Sequence, residues 1–97
     1  MRIQLEQKIK DKSAQVSVIG LGYVGLPLAV ELSKAGFSVT GIDTDLDRVN
    51  NVKNAIPYIL DVDINDIKNL VEKKTLTATG DFRRLAHSDV IIICVPT

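Results

Sequence analysis

The chain has 97 residues, 45% hydrophobic and 25% charged, which suits one small globular domain and is too short for two. Twelve basic residues balance twelve acidic ones, and no apolar run approaches the roughly 20 residues of a membrane-spanning helix. Nucleic acid and membranes are therefore not expected partners. A single cysteine, Cys94, excludes an internal disulfide, and without a signal-peptide pattern the composition favours the cytoplasm.

Segments with helical and strand-like patterns alternate along the chain. Apolar residues one turn apart mark the helices, and runs of β-branched residues mark the strands. In chain order the predicted elements are a helix at 2–12, a strand at 15–19, a helix at 23–35 stopped by Gly36, a strand at 37–43, helices capped by Asp45 and Asp63, and strands at 76–79 and 89–95. We interpret residues 1–13 as a helical extension and 14–97 as the folded segment.

This alternation predicts an α/β fold with a parallel, doubly wound sheet in the strand order 3-2-1-4. The last strand, DVIIICV at 89–95, is apolar without alternation, which is typical of a parallel strand buried on both faces. In a complete sheet of this type it lies inside, yet the chain stops at Thr97. We therefore expect an incomplete domain from a longer protein, and an open strand edge that promotes homo-oligomers.

Three glycines, Gly20, Gly22 and Gly25, stand in the pattern G-x-G-x-x-G between the first strand and its helix. The first allows a tight turn, the second a close approach by a pyrophosphate, and the third close packing of helix on sheet. Asp43 ends the second strand, 18 residues after Gly25, where a carboxylate accepts hydrogen bonds from an adenosine ribose. The pattern is that of a Rossmann-type site, with the pyrophosphate at the helix N-terminus.

Other interpretations of the same residues remain open. The glycines can serve a tight turn alone, with Asp43 as a residue at a helix start. A methyltransferase site for S-adenosylmethionine also ends its second strand in an acid, but its glycine loop is less regular. An FAD domain more often carries glutamate at position 43. NAD is the predicted cofactor, in preference to NADP, because Asp45 and Asp47 add negative charge beside Asp43 and position 44 is threonine.

Two long stretches, VIGLGYVGLPLAVELSKAGFSVTGIDTDLDRV and LTATGDFRRLAHSDVIIICVPT, strongly resemble the NAD-binding domain of the UDP-glucose/GDP-mannose dehydrogenase family. The resemblance covers residues 14–97. PYILDV at 57–62 resembles the Ser-Tyr-Ile-x-Asp stretch of the UDP-N-acetylglucosamine 6-dehydrogenase branch, although Pro57 replaces the serine. The resemblance implies oxidation of the C6 alcohol of a UDP-sugar, as in polysaccharide precursor synthesis, to the carboxylate with two NAD+ and a covalent thiohemiacetal.

The resemblance also implies which residues bind the cofactor. They are Gly20, Leu21, Gly22, Tyr23, Val24, Gly25, Asp43, Arg48, Val95, Pro96 and Thr97. Arg48 would lie across the adenine, with a solvated surface arginine as the other open interpretation. The family's catalytic residues lie beyond Thr97, so we assign none here and expect this chain alone to be inactive. The rivals are another Rossmann dehydrogenase, of 6-phosphogluconate or 3-hydroxyacyl type, and a non-catalytic nucleotide sensor.

Two further features suggest chemistry that the residue pattern does not support. DVDINDIKNLVE at 61–72 approaches a calcium-binding loop, but Asp66 stands where the loop needs glycine and Lys68 adds a cation. For Cys94, the sequence offers no histidine in a pattern that would activate the thiol. We predict a helix, a core cysteine and, for His87, a surface position.

Overall fold

The computed structural model describes residue 7 and the ranges 9–60 and 62–94. It contains strands β1 (Gln15–Ile19), β2 (Ser38–Ile42), β3 (Leu76–Thr79) and β4 (Val90–Ile93), helices α1 (Gly25–Lys34), α2 (Leu46–Lys53) and α3 (Ile64–Glu72), and a 3-10 helix (Phe82–His87). Of the helix predicted at 2–12, residues 2–6 and 8 lie outside the described residues, whereas residues 7, 9 and 10 are helical; the end of the fourth predicted strand also lies outside them. None of the described helices is long and apolar enough to cross a membrane.

The four strands form one parallel sheet in the order β3-β2-β1-β4, so the predicted topology is confirmed. Val16 of β1 is in register with Val39 of β2 and with Val90 of β4. The two crossovers from β1 to β2 and from β2 to β3 step in the same direction. Because such crossovers are right-handed, α1, α2 and α3 lie on one face of the sheet.

The core lies between that face and the three helices. Helix α1 contacts β1 and β2, while α2 and α3 contact β3. The sheet contributes alternate residues, among them Val18, Val39 and Leu76, all essentially inaccessible to solvent. Helix α1 contributes Leu26 and Ala29. The period of two in the strands and of about 3.6 in the helix therefore brings the apolar side chains together.

Helix boundaries follow local chemistry. Asp45 caps α2, its carboxylate accepting hydrogen bonds from the next turn, and Asp63 does the same for α3, as predicted. Gly36, with φ of 109°, follows the C-terminus of α1. Helix α1 begins at Gly25 rather than at residue 23, because the preceding residues form the turn that leaves β1.

Strand β4 differs from its prediction. Val90 and Ile92 are partly buried on the helical face, whereas Ile91 and Ile93 are 46% and 65% exposed on the other. The expectation of burial on both faces is therefore wrong within the described residues. The crossover from β3 to β4 passes over that second face as a single short 3-10 helix, and this segment is too small to cover the strand.

Candidate functional site

A cleft of about 460 Å³ opens at the carboxyl ends of the strands. It lies beside β1, whose neighbours β2 and β4 are reached by connections that run in opposite directions. Ligands of open parallel sheets bind at such a switch point. The lining residues are Ile19, Gly20, Gly22, Tyr23, Val24, Gly25, Asp43, Thr44, Arg48, Phe82 and Cys94.

The three glycines of the turn differ in what surrounds them. Gly20 has φ of +98°, and a Cβ there would meet the carbonyl oxygen of Cys94. A Cβ on Gly25 would overlap the carbonyl oxygen of Gly20. A Cβ on Gly22 would lie 3.6 Å from the Arg48 Nη1, an ordinary contact. Packing within the protein therefore requires the first and third glycines, whereas the second leaves space that opens into the cleft.

Helix α1 presents an uncapped N-terminus to this cleft. Val24 occupies the N-cap position, no side chain among the described residues caps the helix, and its first turn carries no acid. The first turn of a helix has unpaired N–H groups and a partial positive charge, and both favour an anion. Tyr23 and Val24 also line the cleft, with their side chains 81% and 67% exposed. This end of the cleft is therefore suited to a phosphate group.

Asp43 stands at the end of β2 and is 7% exposed. Its Oδ2 accepts a hydrogen bond from the Leu21 N–H at 2.8 Å, and its Oδ1 accepts one from the Asp45 N–H at 2.8 Å. Burial alone would raise the pKa of Asp43, but the two amides and the Arg48 guanidinium outweigh it and hold the pKa below its ordinary value. The carboxylate is therefore ionised and can accept further hydrogen bonds from a ligand.

Arg48 lies at the border of the cleft, one turn into α2. Its Nη1 is 3.5 Å from the Asp43 Oδ2, and its Nε is 3.6 Å from the Asp45 Oδ2. The side chain is 42% exposed, so part of it remains open to solvent. The structure thus brings Arg48, Asp43 and Gly22 together. Val95, Pro96 and Thr97 lie outside the described residues.

Several cleft residues were not predicted. Phe82, 42% exposed, comes from the 3-10 helix, and it follows a predicted strand end, which is a position that sequence alone can flag. Cys94, expected in the core, is only partly buried and lines the cleft, because the strand ends beside the glycine turn. Tyr58 reaches the same turn from the segment between α2 and α3. No local pattern signals that contact.

The stretch that resembles a calcium-binding loop and the histidine have ordinary structural roles. Most of the stretch that approaches a calcium loop is helix α3, with Ile67 and Leu70 buried; Asp61 lies outside the described residues. Its side chains are thus committed to a helix rather than to a loop. His87 is exposed at the end of the 3-10 helix, as predicted.

Comparison with known proteins identifies the family of this chain. The profile of the UDP-glucose/GDP-mannose dehydrogenase family, NAD binding domain, matches residues 14–97. UDP-N-acetyl-D-glucosamine 6-dehydrogenase of Pseudomonas aeruginosa is 40% identical over 86 residues, which are 89% of this chain and 19% of that protein. UDP-N-acetyl-D-mannosamine dehydrogenase of Methanococcus vannielii is 35% identical over 94 residues, which are 96% of this chain and 21% of that protein.

A solved structure gives the same result. A ternary complex of GDP-mannose dehydrogenase from Pseudomonas aeruginosa superposes with a TM-score of 0.79 and 31% identity, over 84% of this chain and 19% of that one. The chain thus spans about a fifth of the length of these relatives. The chain belongs to the UDP-glucose/GDP-mannose dehydrogenase family and corresponds to that family's NAD-binding domain.

Proposed function

We propose that the cleft beside β1 binds NAD, as the cofactor-binding part of a nucleotide-sugar 6-dehydrogenase. One observation carries this proposal: the uncapped N-terminus of α1, the open space at Gly22 and the ionised carboxylate of Asp43 lie in one cleft. A turn that served packing alone would require the first and third glycines and leave the second unexplained. The residues present therefore fit a dinucleotide.

The pyrophosphate, the adenosine ribose and the adenine of the cofactor each have a chemically matched group. In this proposal the N–H groups of Gly22, Tyr23 and Val24 bind the pyrophosphate at the start of α1. Asp43 accepts hydrogen bonds from the adenosine ribose and Arg48 covers the adenine; the support is that both line the cleft. Leu21, Gly20 and Gly25 hold the turn, and by resemblance the cofactor also reaches Val95, Pro96 and Thr97. Bound NAD supplies a hydride acceptor, and this chain binds and orients it.

The activity of the whole protein follows as part of the proposal. Its substrate is a UDP-N-acetylhexosamine, which it oxidises at C6 to the carboxylate with two NAD+, for polysaccharide precursor synthesis in the cytoplasm. The support is that relatives 40% and 35% identical are named as dehydrogenases of UDP-N-acetyl-D-glucosamine and UDP-N-acetyl-D-mannosamine. Residues 14–97 are the Rossmann segment, residues 1–13 an extension, and the catalytic residues belong to other segments.

Calorimetric titration of NAD into the purified chain tests cofactor binding. The same chain is titrated with S-adenosylmethionine and with FAD, the ligands of the two alternative glycine-loop sites. We expect heat from NAD alone, and we expect Asp43→Asn to weaken it because the ribose loses a charged acceptor. Absence of NAD binding, or tighter binding of either other ligand, would contradict the proposal.

We also propose that the chain self-associates through β4. This strand is at the edge of the sheet, and it exposes Ile91 and Ile93 on one face. An unpaired strand edge beside exposed isoleucines favours association with a second copy. Light scattering at high micromolar concentration should detect a dimer or a larger species, and Ile93→Lys should shift it to monomer. A monomeric wild-type chain would refute this part.

A further inference from the structure

Tyr58 makes a contact with the glycine turn that crosses 37 positions of sequence. Its hydroxyl donates a hydrogen bond of 2.7 Å to the backbone carbonyl of Leu21. Leu21 is the residue between the first two glycines of the turn. The tyrosine approaches it from the loop between α2 and α3, which contributes none of the residues that line the cleft. The hydrogen bond therefore joins the glycine turn to a segment that does not line the cleft.

Leu21 is held at three points, and Tyr58 supplies one of them. Its side chain is fully buried, and it packs so closely on Gly41 that a Cβ there would lie 2.6 Å from the Leu21 Cδ2. Its N–H donates to the Asp43 Oδ2 at 2.8 Å. Its carbonyl accepts from Tyr58. The side chain and the N–H fix the position of the residue, whereas the third contact acts directly on the peptide that follows it.

That following peptide joins Leu21 to Gly22. A trans peptide is planar, and its C=O and N–H point in opposite directions. The hydrogen bond from Tyr58 keeps the Leu21 carbonyl directed toward the tyrosine. The Gly22 N–H is therefore directed to the opposite side of the turn. The Gly22 carbonyl is separately engaged by the Leu26 N–H at 3.1 Å. Rotation of the Leu21–Gly22 peptide would replace an N–H donor by a carbonyl oxygen, which repels an anion.

We propose that Tyr58 is a positioning residue for the pyrophosphate: its hydroxyl holds the Leu21–Gly22 peptide so that the Gly22 N–H faces the ligand. This inference rests on the proposed NAD site. Its support is the contact with Leu21, the space beside Gly22 in the cleft, and the position of Tyr58 outside that cleft. The residue acts on the ligand through the backbone and does not touch it.

The surroundings of Tyr58 keep its hydroxyl in the donor form. Burial raises the pKa of Tyr58 to about 12, with the Arg48 guanidinium acting against it and the carboxylates of Asp43 and Asp45 adding to it. The phenol therefore keeps its proton at every pH at which the protein would work. A phenolate would place a negative oxygen against the carbonyl oxygen of Leu21. The raised pKa of Tyr58 is therefore consistent with a hydroxyl that donates this hydrogen bond.

The test compares Tyr58→Phe with the wild-type chain for two ligands, ADP and adenosine, by NMR titration. ADP carries the pyrophosphate, whereas adenosine carries only the ribose and base. We expect about fivefold weaker ADP binding and adenosine binding within about twofold, because apparent affinity falls with the fraction of chains in the competent conformation. The Leu21 carbonyl carbon should also shift in the variant that lacks the hydroxyl.

Thr75→Val is the matched control. The Thr75 hydroxyl also donates to a backbone carbonyl, that of Leu70 at 3.2 Å, but it lies before β3, at the opposite end of the sheet. Its removal should leave both affinities unchanged. Unchanged ADP binding in folded Tyr58→Phe, or equal losses for both ligands, would overturn the inference while the NAD site stands.

A measurement on the wild-type chain covers the case in which Tyr58→Phe does not fold. Addition of ADP should shift the Gly22 amide proton strongly, because the peptide is already oriented with its N–H toward the ligand. A Gly22 amide that does not respond would overturn the inference. If the wild-type chain binds neither ADP nor NAD, the proposed function fails and the inference fails with it.

Discussion

Discrimination between NAD and NADP should depend on the carboxylate of Asp43. The two cofactors differ by a phosphate on the 2′-oxygen of the adenosine ribose. We propose that this ribose binds to Asp43. This carboxylate is 7% exposed and ionised, and hydrogen bonds from Leu21 and Asp45 hold it in place, so it cannot turn away. A 2′-phosphate would therefore meet a fixed negative charge.

The magnitude follows from the local charges. Two unit charges about 4 Å apart at an effective dielectric constant near 20 repel by about 4 kcal/mol. Arg48 is the nearby cation, but it lies 3.5 Å from the Asp43 Oδ2 and 3.6 Å from the Asp45 Oδ2, so two carboxylates already share its charge. If it offsets half of the repulsion, about 2 kcal/mol remains, which corresponds to roughly 30-fold tighter binding of NAD.

Calorimetric titration of both cofactors into the wild-type chain and Asp43→Asn measures this preference. The variant keeps the shape of the side chain but loses its charge, so the NAD preference should fall to a few-fold. Asp47→Asn is the control, because Asp47 is exposed in the first turn of α2, carries the same charge and does not line the cleft. Equal or tighter NADP binding by the wild-type chain would show that Asp43 does not contact the ribose.

Three further predictions concern Gly25, Gly22 and Asp43. Gly25→Ala should destabilise the fold by about 3 kcal/mol in chemical denaturation, because the new Cβ overlaps the Gly20 carbonyl oxygen. Gly22→Ala should cost less than about 1 kcal/mol yet weaken NAD binding about tenfold or more, since its Cβ occupies the ligand's side of the turn. The pKa of Asp43 is lower in the folded chain than in the unfolded chain, so the ionised carboxylate stabilises the fold. This contribution to the free energy of unfolding should be fully present above about pH 4 and should be lost as the pH falls through the pKa of the folded state.

Each of these has an outcome that would contradict it. Equal stability losses for the two alanine variants would mean that the turn does not separate packing from ligand approach. For the pH dependence, denaturation of the wild-type chain and Asp43→Asn is compared between pH 6 and pH 3, and the wild type should lose more free energy of unfolding over that interval. Parallel curves would show that the carboxylate is not stabilised in the fold.

Much of this fold can be predicted from local sequence. The strand order 3-2-1-4, the caps at Asp45 and Asp63 and the position of Asp43 at a strand end all follow from short patterns and chain chirality. Apolar periods of two and 3.6 residues depend on neighbours a few positions apart, and the handedness of crossovers restricts how the strands assemble. The glycine spacing likewise identifies a turn beside a helix start.

Packing decided the rest. The spacing of the three glycines predicts a separate role for each, but only the structure shows the contacting atoms: a Cβ on Gly25 would overlap the Gly20 carbonyl oxygen, while one on Gly22 would make an ordinary contact with Arg48. The hydrogen bond from Tyr58 to the Leu21 carbonyl joins residues 37 positions apart, and no helical or strand periodicity predicts a contact at that separation. The exposed face of β4 was also missed, because a run of isoleucines does not show which segment will cover it. Such contacts depend on how separate elements meet in three dimensions, and a sequence pattern records only the element to which each residue belongs.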